Sequence, residues 1–372
     1  MKILYVAVSV NHHHVYLVDE LYKRWPGEVL FAAKDTYEMR RRKMKFPDMD
    51  RSWIMKISDN ERLFYSWFMT ADVVICHDRS FYQLMRRRIE NKKLSFYMSE
   101  RWCKPPYGKL RLLRPNIFKI WYNFRKMFKT PYFYYLAQGI PAAYDFKSIG
   151  LGRGKIFSFG YFPSVEPHDN VMHLLPEGKI NILWCGRMLR WKNVDKLVKA
   201  FIKVSKIRQS IHLTIIGQGD QERLVRSLVK DSDNITIMPF LPTDVVRSYM
   251  SDADIYVFPS SGAEGWGCVL NEAMSEGCAV IGAEEAGAVR SMLQDGVNGL
   301  ILHNNTISEI CDKLLYLIDN KSELSRLKVN ALKSIRKDWS PYEASSRLLT
   351  VINAINSNQS YNIYKDGVMS CL

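Results

Sequence analysis

The sequence predicts an α/β protein built from two tandem, doubly wound domains, and three observations carry that prediction. At 372 residues the chain exceeds what one hydrophobic core serves comfortably, so two domains are expected. Its second half alternates short apolar runs with amphipathic segments, the pattern of a parallel sheet covered by helices on both faces. The first half opens in the same strand–loop–helix order. Two such domains in tandem create a cleft between the carboxyl ends of two sheets, where folds of this type bind ligands.

In the second half, "INILWC" (180–185) reads as a buried strand. "VDKLVKAFIKV" follows as a helix with Val194, Leu197, Val198, Phe201 and Ile202 on one face. "IHLTIIG" is a strand, "QGD" a turn, and "QERLVRSLVK" a helix using Leu224, Val225, Leu228 and Val229. "NITIMPF" supplies a further strand, and Thr243 is placed to cap the helix "DVVRSYM". "ADIYVFPS" and "CAVIGA" are strands, and three helical segments close the chain, the last being "PYEASSRLLTVINAI". In the first half, "KILYVAVSV" feeds a loop and the helix "VYLVDELYKRW"; "ADVVICH" (71–77) and "KLSFYMS" (93–99) are further strands. The stretch 160–179 carries three prolines and little periodicity, which places the linker there. The first domain is therefore read as 1–165, the second as 166–340, and 341–372 as a closing helical segment.

Composition narrows the function. Residues 1–165 hold 30 Lys+Arg against 14 Asp+Glu, whereas the remainder holds 23 against 24, so the net charge of +15 belongs to the first half. That asymmetry suggests a polyanion or an anionic membrane surface as partner of the first domain. Seven cysteines lie scattered without a C-x-x-C pair, which favours reduced thiols and a cytoplasmic setting over a disulfide framework or a zinc site. No run approaches a membrane span, and "MKILYVAVSV" lacks the features of a signal peptide.

The chemistry concentrates in "SSGAEGWGCVLNEAM" (260–274). A strand ends at Ser260, a glycine-rich turn follows, and "CVLNEAMSEG" reads as a helix closed by Gly277. Glu264 falls in the loop and Glu272 about one turn into the helix. Gly265 and Gly267 let the backbone approach a ligand, and a helix start favours an anion. The arrangement suits a nucleotide sugar: amide donors for its diphosphate and two carboxylates accepting from hydroxyls at its two ends. "WCGRMLRWKN" (184–193) puts Arg187 and Lys192 after a strand, where they could clamp a diphosphate. "IIGQGD" (215–220) places Gly217 and Gly219 after another strand.

In order and spacing, "GR…K", "IGxG" and "ADIYVFPS…EGWGxVxxEAMxxGxxVI" resemble the donor-binding domain of the retaining family-4 glycosyltransferases, which have the two-domain GT-B fold (glycosyl transferases group 1, bacterial polysaccharide and glycolipid type). The resemblance covers residues 180–300, about a third of the chain. It implies that Arg187 and Lys192 hold the diphosphate and that Glu264 contacts the sugar near the reacting face. The backbone amides of Gly265, Trp266 and Gly267 would assist, and Glu272 would accept from the ribose. Val269 and Leu270 would bring helix amides to the phosphates, and Phe240 and Leu241 would line the base pocket. The resemblance further implies hexosyl-type transfer with retention and no metal or other cofactor, to a lipid-linked or glycan acceptor, and a last helix crossing back to the first domain.

The first domain matches that family less well. Its first loop is "SVNHHHV", read as a loop with one histidine near the phosphates rather than a metal cluster. "DVVICHD" resembles the family's strand ending in a histidine and makes His77 a candidate catalytic residue. Where a second histidine often follows, this chain has "FYMSERW", so Glu100 or Arg101 occupies that neighbourhood. The stretch 101–129 mixes cations with Trp, Tyr and Phe. It fits equally an anionic membrane surface or an aromatic core helix with a solvated cationic face; nucleic acid is a poor third. The expectation is a cytoplasmic, membrane-peripheral glycosyltransferase of surface polysaccharide or glycolipid assembly. Its rivals are a nucleotide-sugar epimerase or hydrolase on the same fold, and a non-catalytic nucleic-acid-binding or scaffold protein.

Overall fold

The computed structural model describes residues 1–35, 49, 51–166, 176–230 and 232–372. They form two compact units, one from the described parts of 1–42, 48–163 and 338–372, the other from 164–337. Much of the expected linker, 167–175, lies outside the described residues.

The first unit contains β1 (Lys2–Ser9), α1 (His12–Arg24), β2 (Glu28–Asp35), β3 (Ile54–Lys56), α2 (Glu61–Thr70) and β4 (Val73–Cys76). It continues with α3 (Tyr82–Glu90), β5 (Leu94–Ser99), α4 (Pro115–Met127), β6 (Phe133–Gln138), α5 (Ile140–Ser148) and β7 (Ile156–Phe159). The strands are parallel in the order β3-β2-β1-β4-β5-β6-β7. Burial on both faces explains why β1 reads as a continuous apolar run: Ile3 through Ala7 are fully buried. Strands β6 and β7, "FYYLAQ" and "IFSF", are just as buried, yet the sequence reading passed over them because their aromatics sit among the bases of the middle segment.

The three histidines do not form a loop. Asn11 caps α1, its side chain accepting from the His13 amide at 3.0 Å, so all three fall in the first turn of the helix. Another unanticipated feature is Arg88 on α3, fully buried and without a carboxylate in hydrogen-bond reach among the described residues. Its guanidinium donates to the carbonyls of Phe68 (2.5 Å), Ala71 (2.9 Å) and Leu94 (3.0 Å), tying the end of α2 to α3 and β5.

The second unit contains β8 (Ile180–Cys185), α6 (Val194–Ser205), β9 (Ile211–Ile216), α7 (Glu222–Leu228), β10 (Ile235–Met238), α8 (Thr243–Asp252) and β11 (Ile255–Phe258). Then come α9 (Val269–Ser275), β12 (Ala279–Ala283), α10 (Gly287–Met292), β13 (Leu300–Leu302), α11 (Ile307–Asp319) and α12 (Lys321–Asp338). Its parallel order is β10-β9-β8-β11-β12-β13. The expected apolar face of α6 is buried except that Val204 and Ala200 join it and Ile202 is only half-buried. On α7 only Val225 is buried, and Leu224 is exposed, so that four-residue face was read too broadly. Pro242, not Thr243, precedes the first turn of α8; proline fixes the entry and Thr243 makes no cap.

The last helix, α13 (Pro341–Asn356), is capped by Ser340 and belongs to the first unit. The Arg24 guanidinium of α1 lies 3.6 Å over the Tyr342 ring. Beyond it the chain returns to β7: Ser158 donates to the Ser370 carbonyl at 2.8 Å, Met369 to Ser158 at 2.7 Å and Leu372 to Ile156 at 2.8 Å. This antiparallel pairing covers the outer edge of the sheet.

Candidate functional site

In each sheet the strand order reverses once, between β1 and β4 and between β8 and β11. Doubly wound sheets bind ligands outside the carboxyl ends of the strands at such a reversal. In the second unit, the loops there are 186–193 after β8 and 259–268 after β11, and they hold the predicted Arg187, Lys192 and Glu264. They are bonded together: the Asn193 amide donates to the Pro259 carbonyl at 2.8 Å, and the Ser261 N–H to Trp191 at 2.8 Å. Asn193 holds a left-handed φ of 52°, which aims this side chain before α6 begins.

Across these loops the Lys192 ammonium forms an ion pair with Glu264, both side chains largely buried, and lies 5.5 Å from the centre of the Phe258 ring. The two residues assigned separately to diphosphate and sugar therefore stand together. Arg187 sits half-buried in the same loop. Glu272, one turn into α9 and 5% exposed, is near enough to β8 to act on the Cys185 thiol. Burial pushes that thiol up to about 12; the Glu272 charge adds to the rise and Lys192 opposes it. Thus the end of β8, Lys192, Glu264 and Glu272 share one neighbourhood.

The glycines and aromatics around them are structural in detail. The Trp266 indole is fully buried and donates to Asn271 at 2.8 Å, while its carbonyl accepts from Ala288 at 3.0 Å. The Glu264 N–H donates to Ser261 at 2.9 Å and the Leu270 N–H to Gly267 at 3.0 Å. A Cβ on Gly267, at φ +100°, would lie 2.3 Å from the Phe258 ring. Gly217 faces a backbone instead of open space: its Cβ would lie 1.9 Å from the Gly186 carbonyl. Around it Gly186 donates to Ile216 and Met188 to Gln218, so the loop with Gly217 and Gly219 braces the loop of Arg187. Gly265 carries its carbonyl against Gly287, where no side chain would fit. Phe240 and Leu241 are half-buried in the connection from β10 to α8.

In the first unit, the reversal between β1 and β4 collects histidines. His77 follows β4, its N–H donating to Val6 at 2.7 Å. Its Nε2 is 2.9 Å from the Gln138 amide oxygen and 3.4 Å from the Tyr161 hydroxyl. His14 packs on it with ring centres 5.0 Å apart and bonds the Tyr5 hydroxyl at 2.7 Å. Burial lowers the His77 pKa below the ordinary histidine value, with Glu100, the Gln138 bond and Asp78 partly offsetting it. The imidazole is therefore neutral at pH 7. Of the two residues proposed to follow β5, Arg101 is committed to Asp145 in a two-bond fork at 3.1 and 3.3 Å. Glu100 accepts from Lys104 at 2.6 Å and is the one whose charge reaches His77.

The sequence reading missed Gln138 and Glu285. Gln138 closes β6 and is fully buried; a polar residue ending "FYYLAQ" before a glycine was the available signal. Glu285, after β12, accepts from the Gly262 N–H at 2.7 Å and braces the glycine-rich turn. Asp-x-Asp triplets occur at 48–50, 231–233 and 252–254; the first two include residues outside the described ones. Asp254 stands at the amino end of β11, where it accepts from Asn181 at 3.0 Å and pairs with Lys328 at 3.1 Å. It is thereby removed from the strand ends that carry Glu264. Among the described residues, no helix is long and apolar enough to cross a membrane.

Residues 167–334 match the family described as glycosyl transferases group 1. An uncharacterized glycosyltransferase of Haemophilus influenzae is 29% identical over 181 residues, 45% of this chain and 51% of that protein. A phosphatidyl-myo-inositol mannosyltransferase of Mycobacterium leprae is 27% identical over 170 residues, 45% of each. The chain thus spans about half the length of these curated relatives. In architecture it resembles Anabaena Alr3699/HepE solved with UDP, at a TM-score of 0.68 and 13% identity, over 95% of this chain and 100% of that one. The predicted α/β GT-B fold is borne out.

Proposed function

We propose, from a chain whose residues 167–334 form a glycosyl transferases group 1 domain, that this protein moves a sugar from a nucleotide diphosphate sugar to a glycan or lipid-linked acceptor with retention and without a metal. The observation that carries the reading is the coupling of Lys192 to Glu264 across the two loops of the β8/β11 reversal. Breaking a sugar–phosphate bond develops negative charge on the leaving diphosphate and positive charge at the anomeric carbon. Lys192 and Arg187 meet the first. Glu264 positions the sugar and faces the second, and Glu272 accepts from the ribose. Holding Lys192 beside Glu264 before substrate arrives keeps both side chains oriented, so little reorganisation accompanies the reaction.

His77 serves the acceptor side in this reading. A neutral imidazole can accept a hydrogen bond from a hydroxyl, and Gln138 and Tyr161 hold its ring. In a front-face route the leaving phosphate takes the acceptor proton, and no separate base is needed. A lipid-linked acceptor is supported by the M. leprae relative, whose name specifies a phosphatidylinositol acceptor. It is supported also by Leu110, Leu113 and Phe118, exposed among the cations around α4.

The test begins with a panel of UDP-, GDP- and other nucleotide sugars, read by thermal stabilisation. Glu272→Ala should weaken donor binding at least about tenfold, and Lys192→Ala should lower turnover by about 100-fold. A Glu272→Ala protein that turns over nucleotide sugar normally would overturn the site. Retention is read from the anomeric configuration of the product, and metal independence from activity that persists in EDTA.

A further inference from the structure

We propose that the first unit carries a second binding site, for an anionic saccharide, at the amino ends of its strands. A cavity of about 660 Å³ opens there, within the range of small-molecule pockets, roughly 300–1,000 Å³. Its walls come from the turn between α3 and β5, the start of β6, and the segment after α13. His77 lies at the other end of the strands, so the cavity is no part of the site already described.

The wall chemistry fits hydroxyl-rich rings. Asn356, Asn358 and Gln359 line the cavity, and none of their side-chain amides is engaged by a hydrogen bond within the described protein. Each amide offers both donor and acceptor, as sugar hydroxyls do. Tyr132 and Tyr361 supply aromatic surface for the C–H face of a sugar. Tyr361 is fixed edge-on to the buried Tyr134 with ring centres 5.3 Å apart, and its hydroxyl donates to Gly154 at 3.1 Å. That wall is therefore preformed.

The charge selects an anion. Lys92 and Lys93 border the cavity against one carboxylate, Asp72. Asp72 is already bonded by the Lys2 N–H at 2.7 Å and lies 3.7 Å from the Lys93 ammonium. Lys92 is exposed and makes no ion pair among the described residues. It also holds a left-handed φ of +56°, where glycine would cost less by about 1 kcal/mol. A carboxylate or phosphate on the sugar would meet the two ammonium groups while its hydroxyls meet the amides.

The site does not depend on the transfer reading, because binding is measured without nucleotide sugar. The chain is titrated by calorimetry with chondroitin sulfate tetrasaccharide and glucose 6-phosphate, which carry a carboxylate with sulfate and a phosphate respectively. Maltotetraose and inorganic phosphate serve as neutral-sugar and bare-anion controls. Binding of either anionic saccharide is expected, with maltotetraose and phosphate at least about tenfold weaker. Lys92→Glu with Lys93→Glu should weaken it at least tenfold and Gln359→Ala severalfold, while Lys126→Glu on α4 leaves it unchanged. All substituted side chains lie at the surface, and unchanged melting confirms intact folding. Absence of binding by both saccharides would overturn the proposal. So would phosphate binding as tightly as they do, or an affinity that ignores both the lysine and the Gln359 substitutions.

Discussion

At the residue scale, His77 shows how a buried group is tuned by neighbours that sequence spacing hides. Its pKa is lowered by burial and held up in part by the Glu100 charge. Glu100→Gln removes a charge that favours the imidazolium, so the His77 midpoint in an NMR titration should move further down; an upward move would refute the assignment. The sign for stability follows. Between the unfolded value, about 6.5, and the lowered native value, the unfolded chain binds a proton that the native state resists. His77 therefore costs nothing above pH 6.5, and stability declines as pH falls through that window. At the loops after β8 and β11 and the start of α9, the sequence made Arg187, Lys192, Glu264 and Glu272 legible because each follows a strand or starts a helix at a fixed offset. It could not reveal that Lys192 pairs with Glu264, since that contact joins loops from non-consecutive strands. The pairing of Gln138 with His77 was illegible for the same reason, the two lying 61 positions apart.

Among the elements, Arg88 carries more structural weight than its place on a basic helix suggests. In "RRRIE" the third arginine is fully buried against three carbonyls. Burial lowers its pKa to about 10, so it stays charged at neutral pH. Arg88→Met leaves those carbonyls unpaired and should cost on the order of 3 kcal/mol, seen as a lower urea midpoint; Arg87→Met, on the exposed face, should cost under about 0.5 kcal/mol. Element order was legible wherever apolar runs were short and cleanly bounded, as in β8 through β12. It failed at β2, β6 and β7, which lie between charge-rich segments, and at the start of α1, where an asparagine cap outweighed the look of a polar loop.

For the whole molecule, the charge asymmetry acquires a physical address. The basic, aromatic stretch puts one face of α4 into the core and leaves the other exposed. Ile120, Phe124 and Met127 join the core, while Phe118 and Tyr122 stay exposed beside Lys119, Arg125 and Lys126. The preceding turns at 108–113 leave Leu110 66% and Leu113 79% exposed among Lys109 and Arg114. Exposed leucine and phenylalanine ringed by cations suit an anionic bilayer, each cation contributing about 1 kcal/mol. Sedimentation with vesicles rich in phosphatidylglycerol should recover the protein, with loss in high salt and after Leu113→Glu with Phe118→Glu. Equal recovery on neutral vesicles would refute an electrostatic partner.

The return of residues 338–372 to the first unit has a consequence for how the molecule is made. Among the described residues the second unit is continuous along the chain, whereas the first is interrupted by it. During synthesis from the amino end, the interrupted unit waits for α13 and for the strand that seals β7, while its neighbour already has every residue that it needs. Domains generally fold as units as they emerge, so the later unit in sequence should mature first. A ribosome-bound chain stalled once residue 337 has left the exit tunnel should hold a protease-resistant second unit and a first unit still open to cleavage. The vulnerable interval in the life of this protein is then the delay before residues 338–372 arrive.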